Sequence, residues 1–588
     1  MDKILRINVG AEGGPKAVIE PVGRYATLGG RAMTSTVLWE EVPPDCDPRG
    51  PQNKLILAPG IMGGSVATTS GRLSVGCKSP LTGTIKESNA GGQAGHAIAR
   101  LGYGAIILEG ERKVDGLLKL VIDKDGATFA ACDELKMLGN YEVAEKIKAE
   151  HGDKVVMLGI GPAGEQLLGN SSIAVTDKDF RPTRHAARGG PGAVMGSKGI
   201  KVIVIDTEGV SMRRAVDAKG FTEANRKLAK ALQDSGYTGQ ALPAYGSAML
   251  VELVNELGAF PALGARQGQW DESEKISGPT LVETEIERGG EGAATHGCHT
   301  GCIIRCSGTF RDKKGKFVTK QPEYETLWAH GGYCGISDLD SIAQMDRLDD
   351  DLGLDTIEMG CTIGVMMQAG ELEMGDAEGA IALLEEVGRG SEKGKLIGSG
   401  AAAVAKHYGV DRAPVVKGQA MAAYDPRAMK GLGVTYATSP MGADHTAGNT
   451  LAHHLYMAEP IVPALATDEQ WLVSAIEQIN SAAIDSTGYC LFLSFAALDQ
   501  PEAMQYLLES MSAFTGADYT GESFMEMGRS VLKKELDFNR RAGFTQQDDK
   551  LPDYVMNEPL APHDAVFDVP EDQFKQVNDY IKESGSQS

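Results

Sequence analysis

Between Met1 and Thr207, short apolar runs alternate with glycine, proline and charged breaks. Lys54 to Ala58, Ala105 to Leu108, Lys154 to Leu158 and Lys201 to Ile205 are of strand length and bounded by Gly, Pro, Asp or Lys, the signature of buried strands. Met1 to Val9 comes close to strict polar–apolar alternation and predicts a further strand. From about residue 208 the period lengthens. Residues 213–235 and 248–257 carry apolar positions at helical spacing, and helical patterning continues to about 408. A Pro/Gly-bearing stretch from Ala413 to Gly442 precedes another helical region ending near Arg541. The tail after Gly543 is polar and predicts no regular element, and no internal repeat shows. The pattern predicts an α+β protein: a β-rich N-terminal domain over 1–207, a mainly helical domain over 208–410, and a second over 411–588.

Composition narrows the function. A chain of 588 residues exceeds what one core holds, and 42% hydrophobic residues suffice to fill several. The formal charge of −23 repels phosphate backbones and anionic bilayers, so neither nucleic acid nor a membrane surface is an expected partner. No run reaches bilayer-spanning length, and the N-terminus lacks a charged segment followed by an apolar one. A cytoplasmic protein is the expectation. Glycine is abundant, 74 residues, roughly twice average usage, and it sits in loops where backbone must turn or approach something bulky.

An odd count of nine cysteines is poor material for a disulfide framework. Cys46, Cys77, Cys132, Cys334 and Cys361 are scattered and read as small core residues. Cys298, Cys302 and Cys306 instead lie within His296-Gly297-Cys298-His299-Thr300-Gly301-Cys302-Ile303-Ile304-Arg305-Cys306. Thiolates so spaced suit an iron–sulfur cluster or zinc, and either wants a fourth ligand. Cys490, after the turn-forming Gly488, is the remote candidate, while His296 and His299 keep a structural zinc site open. Gly159-Ile160-Gly161-Pro162-Ala163-Gly164 matches a dinucleotide fingerprint, but Pro162 sits where a helix would open and no parallel βαβ run surrounds it.

Several segments, in order, resemble the aldehyde:ferredoxin oxidoreductase family of tungsten enzymes. They include Leu28-Gly29-Gly30-Arg31, Ser70-Gly71-Arg72, Ser88-Asn89-Ala90-Gly91-Gly92 and Ala187-Arg188-Gly189-Gly190. The cysteine segment comes next, then Pro322-Glu323-Tyr324-Glu325-Thr326, Asp350 to Asp355, Asp444-His445 and Asp485 to Cys490. The resemblance implies a sandwich-like base holding two pyranopterins on one tungsten (or molybdenum), roofed by helical domains. It implies a 4Fe-4S cluster on Cys298, Cys302, Cys306 and Cys490, with magnesium bridging the cofactor phosphates. Arg72, Asn89, Gly91, Gly92, Arg188, Gly189 and Gly190 would hold phosphates and pterin rims, and Asp350, Asp355 and Asp485 would accept from pterin N–H groups. Glu325 and His445 would stand beside the metal as proton acceptor and carbonyl polariser. The implied reaction oxidises an aldehyde, with electrons passing to ferredoxin or a ferredoxin-like subunit, in a homodimer or hetero-oligomer.

The sequence departs from the family in three places. Three residues, not two, separate Cys298 from Cys302; Tyr489 replaces a common Leu; and Met441 stands where Arg is usual. Two other readings compete: a dearomatising acyl-CoA reductase subunit of the same superfamily, and a non-redox zinc scaffold.

Overall fold

The computed structural model describes residues 1–113, 115–290 and 295–583. The first half of the N-terminal domain runs β1 (Lys3–Asn8), β2 (Lys16–Pro21), α1 (Gly30–Glu41), β3 (Leu55–Pro59), β4 (Leu73–Lys78), β5 (Ile85–Ala90), α2 (Ala94–Arg100) and β6 (Tyr103–Glu109). The second half runs β7 (Leu118–Asp123), β8 (Gly126–Ala131), α3 (Asn140–His151), β9 (Val156–Gly159), α4 (Pro162–Glu165), β10 (Ile173–Val175), β11 (Arg184–Ala186), α5 (Pro191–Ser197) and β12 (Ile200–Ile205).

Each half builds one six-stranded sheet, ordered β2-β1-β6-β3-β4-β5 in the first and β8-β7-β12-β9-β10-β11 in the second. The topology is therefore repeated although no sequence repeat is visible. In both, the last strand lies parallel to the first and antiparallel to the third. Inward residues such as Leu57, Val75 and Ile106 of one sheet and Leu120, Leu158 and Ile203 of the other form one buried layer. The base is thus a sandwich, and with the helical part C-terminal to it the chain is α+β. The edge strands β5 and β11 approach one another in opposite directions: Gly92, after β5, lies against Val175 and Thr176 beside the start of β11, whereas Gly189, after β11, lies against Lys86 at the start of β5.

The fingerprint-like glycines have a packing role. β9 is antiparallel to both neighbours, and a Cβ on Gly161 would lie 2.2 Å from the Leu352 carbonyl oxygen. No parallel βαβ unit exists there, in keeping with the sequence.

Beyond residue 207 the chain is mostly helical, and a continuous apolar core runs from Ala248 to Ile581. The helix expected from residue 213 begins at Ala218, because Asp217 accepts hydrogen bonds from Lys219 and Gly220 N–H and caps it there. The tail differs more from expectation. Asp572–Lys582 is a helix whose Phe574, Val577 and Ile581 are buried, against the helix Gln470–Thr487. Three apolar positions among charged ones make a narrow stripe that a composition-based reading misses. Among the described residues no helix is long and apolar enough to cross a membrane.

Candidate active site and metal centre

The end of the helix Gln470–Thr487 and the loop after it are threaded into the sandwich. A Cβ on Gly60 would lie 2.0 Å from Gly488 N, and Gly488 itself has φ +86. Only glycines permit that approach. Ala32 N donates to Ser486 Oγ at 3.1 Å, and Arg72 N donates to Gly488 O at 3.1 Å. Asp485 and Cys490, on either side of this crossing, are thereby fixed to the base.

The cysteines converge through the same stitching. Thr69 N donates to Gly301 O at 3.2 Å and Cys490 N to Thr69 O at 2.9 Å, so one short segment ties the two cysteine loops together. Cys298, Cys302, Cys306 and Cys490 are all partly buried and unpaired by disulfides. A hydrogen bond from Cys302 is the main influence on the Cys298 thiol and, with His299 and Arg184, holds it well below the usual thiol range despite burial. Burial and then the neighbouring Cys490 and Cys298 push the Cys306 thiol up. Cys298 and Cys302 place their sulfurs, with a His299 nitrogen, within 4.8 Å of one another, and with Cys306 and Cys490 nearby they offer soft ligands suited to iron or zinc. Arg184 stands beside them, bound to Glu323 Oε1 at 3.1 Å and Ser307 Oγ at 2.9 Å. Of the two histidines, His296 turns away to Asp179 at 2.8 Å, whereas His299 Nδ1 lies 3.2 Å from Cys298 Sγ.

Arg72 links this nest to the interior. Its Nε donates to Asn89 Oδ1 at 2.5 Å, and the charges that raise its pKa, against burial, are led by Cys490, Cys298 and Asp485. Gly91 completes the corner: a Cβ there would sit 3.1 Å from Cys298 Sγ and 3.2 Å from Arg72 Nη1. At the matching loop of the second half, a Cβ on Gly189 would strike the Lys86 side chain at 2.6 Å. The Arg188 guanidinium is occupied by Asp355 at 3.1 Å and the Ala443 carbonyl at 3.0 Å.

The aspartates are held differently. Asp355 caps the helix Thr356–Gln368 through Ile357 N–H. Asp350 accepts from Lys320 Nζ at 2.9 Å and faces His185 Nε2 at 3.1 Å. Burial opposes its ionisation, yet Lys320 and His185 prevail and hold it at about 2. Asp485 goes the other way: burial and Glu87 push it well above the carboxylate range, against Arg31 and Arg72. Arg31 is wholly buried, pairs with Glu535 at 2.7 Å, and reaches Asp485 Oδ2 at 3.5 Å through an Nη1 with no hydrogen-bond partner.

Glu325 and His445 are brought together, with Nε2 and Oε1 3.4 Å apart and both side chains largely buried. Glu325 Oε2 accepts from Ala423 N–H at 3.0 Å, while Glu325 Oε1, His445 Nδ1 and the buried Tyr436 hydroxyl have no hydrogen-bond partner among the described residues. Such orphans mark a place built for something else. Burial raises the Glu325 pKa, with His445 opposing. Glu323, two residues earlier, points instead to Arg184. Beside His445, the buried Asp444 accepts from Lys86 Nζ at 2.7 Å. Against burial, Lys86 and Arg188 hold it far below its usual range. The sequence marks Arg31 within a motif without assigning it a role, and leaves Lys86 and Arg184 unmarked. Lys86 and Arg184 do carry a signal, a charged residue inside a strand run.

A buried acid–histidine pair, glycine loops and a group of thiols thus lie within one fold. Family models agree along the chain: aldehyde ferredoxin oxidoreductase, N-terminal domain, matches residues 4–207, and aldehyde ferredoxin oxidoreductase, domains 2 & 3, matches 223–585. The chain belongs to the aldehyde ferredoxin oxidoreductase family and is an oxidoreductase. It is 32% identical to the tungsten-containing aldehyde ferredoxin oxidoreductase of Pyrococcus furiosus, over 91% of this chain and 87% of that one. An aliphatic sulfonate oxidoreductase, WOR-like subunit, from the same organism is 24% identical over 86% of this chain and 80% of its own. The active site complex BamBC of benzoyl coenzyme A reductase shares the fold, with TM-score 0.79 and 20% identity over 99% of this chain and 93% of that one.

Proposed function

We propose that the chain oxidises aldehydes to carboxylic acids at a tungsten (or molybdenum) bis-pterin centre, in the cytoplasm. Cys298, Cys302, Cys306 and Cys490 would hold a 4Fe-4S cluster, which would supply a one-electron path to ferredoxin or a ferredoxin-like subunit. The observation that carries this reading is the crossing at Gly488, which fixes Asp485 and Cys490 to the base within one short segment, Cys490 being tied through Thr69 to the loop that bears the other three thiols. The orphaned atoms of Arg31, Glu325, His445 and Tyr436 and the cradle at Gly91 fit a large polar cofactor. When bound, the pterin-held metal supplies the two-electron oxidation. Arg72, Asn89, Gly91, Gly92 and the Arg188-Gly189-Gly190 backbone hold the pterins' phosphates, with magnesium. Asp350, Asp355 and Asp485 would accept from the pterins' N–H groups.

Glu325 acts as proton acceptor. Burial raises its pKa, which strengthens it as a base, and Oε1, which accepts no hydrogen bond among the described residues, can take a proton from water attacking the aldehyde carbon. His445 polarises the carbonyl oxygen or passes the proton outward. Aldehyde and water yield acid, two protons and two electrons. The 32% identity to a tungsten aldehyde enzyme supports aldehydes as the substrate class. The test is an anaerobic assay of the metal-loaded protein on aliphatic and aromatic aldehydes, with a one-electron viologen acceptor. Two reduced acceptors per acid formed is the expected result. Loaded protein inert to every aldehyde, but active on an acyl-CoA thioester or a sulfonate, would overturn it.

A further inference from the structure

The loop between the first two cysteine ligands is one residue longer than the family pattern, and His299 lies within it. Its imidazole is only 2% exposed, packed over Gly71, where a Cβ would meet His299 Cδ2 at 2.7 Å and His96 Cδ2 at 2.8 Å. His96 stands edge-on, ring centroids 5.5 Å apart, and is itself fixed because its Nδ1 accepts from Gly64 N–H at 3.0 Å. His299 is thus wedged, with Nδ1 3.2 Å from Cys298 Sγ. Its Nε2 is buried with no partner among the described residues.

These facts select a tautomer. A proton on Nε2 would bury an N–H with no acceptor, whereas a lone pair there costs less. The proton therefore sits on Nδ1 and points at sulfur. A metal-bound thiolate carries no proton, so it accepts. We propose that His299 is a positioning and tuning residue: its Nδ1–H donates to Cys298 Sγ and raises the reduction potential of the cluster. This rests on the four-cysteine cluster proposed for the chain. Cys298, His299 and Cys302 also place their ligand atoms within 4.8 Å of one another, but Cys306 and Cys490 complete four thiolates without an imidazole. A hydrogen bond to a ligand sulfur stabilises the more negative, reduced cluster over the oxidised one. One electron enters and later leaves, and no proton moves.

The test compares anaerobically purified wild type with His299→Phe, which keeps a ring in the wedge. Iron content, an EPR-monitored redox titration and pulsed electron–nuclear double resonance after exchange into D2O are measured on both. Equal iron is expected, with a lower midpoint in the variant, a shift of about tenfold in the one-electron equilibrium, or about 59 mV. A cluster-coupled deuteron should be present in wild type and absent from the variant. The wild-type deuteron signal stands even where the variant loses iron. Iron present with no coupled deuteron, with an unchanged midpoint, or with a nitrogen bound directly to iron would overturn the assignment alone. Wild type devoid of iron would remove the cluster reading and the assignment with it.

Discussion

The two halves of the N-terminal sandwich have the same topology but end in different company. In the first, the loop after β5 brings Gly91 against the Cys298 sulfur and the Arg72 guanidinium. In the second, the loop after β11 brings Gly189 against Lys86, whose ammonium is bound to Asp444 next to His445. The repeated topology supplies two similar glycine loops, one for each half of the proposed cofactor. The surroundings of each cradle then set its task. One side leads to thiols and, on the proposed reading, to an electron exit; the other leads to the buried charges that surround the acid–histidine pair.

Substitutions can break this contrast from either side. Cys490→Ser should abolish acceptor-linked turnover and deplete iron, read by metal content and visible absorption, because it removes a ligand no other described cysteine can replace. Glu325→Gln should leave both cofactors in place and lower kcat by about 10²–10⁴-fold, the scale of a general base. Lys86→Met should remove the nearest counter-ion of buried Asp444, leaving Arg188 at 4.0 Å, and cost about 3–5 kcal/mol in denaturant unfolding, with iron per folded chain unchanged. The paired glycine variants sharpen the comparison further. Gly91→Ala presses on Cys298 and should reduce iron as well as pterin, whereas Gly189→Ala should reduce pterin and spare iron, read as iron-to-pterin ratios.

The smallest effects concern two acids with opposite shifts. Asp350, held at about 2, binds fewer protons folded than unfolded, so it contributes stability above the ordinary carboxylate range that is lost as pH falls toward 2. Asp485, shifted upward, binds more protons folded, so its contribution declines as pH rises through that range. In the cofactor-free protein at pH 7, Asp350→Asn should lower stability by about 1–3 kcal/mol, and Asp485→Asn should raise it slightly. Melting curves from about pH 2 to about pH 8 check both signs.

Much of this was legible in the sequence where the determinants are local. Strand runs bounded by breakers gave the base its strands, and three closely spaced thiols marked the segment that the structure ties to Cys490 through Thr69. The duplication was hidden because topology tolerates divergence: β4 and β5 form a hairpin closed by Pro80 to Thr84, while β10 and β11 are three residues each and joined across Asp177 to Thr183. Long-range ion pairs were equally invisible. Lys86 and Asp444 are 358 positions apart, and nothing local to either announces the other. The helix Asp572–Lys582 was missed because its apolar stripe is thin until a partner surface is known.

The central claim is that one chain holds a pterin-bound group-6 metal beside an iron–sulfur cluster. Quantifying W, Mo, Fe, Zn and pterin in anaerobically purified protein from metal-replete cells tests it most directly. The account expects about four iron atoms, about one tungsten or molybdenum and about two pterins per chain, as a four-thiolate cubane and a bis-pterin centre require. Zinc alone, on Cys298, His299 and Cys302, with neither iron nor pterin, would contradict it and leave a zinc-stabilised scaffold.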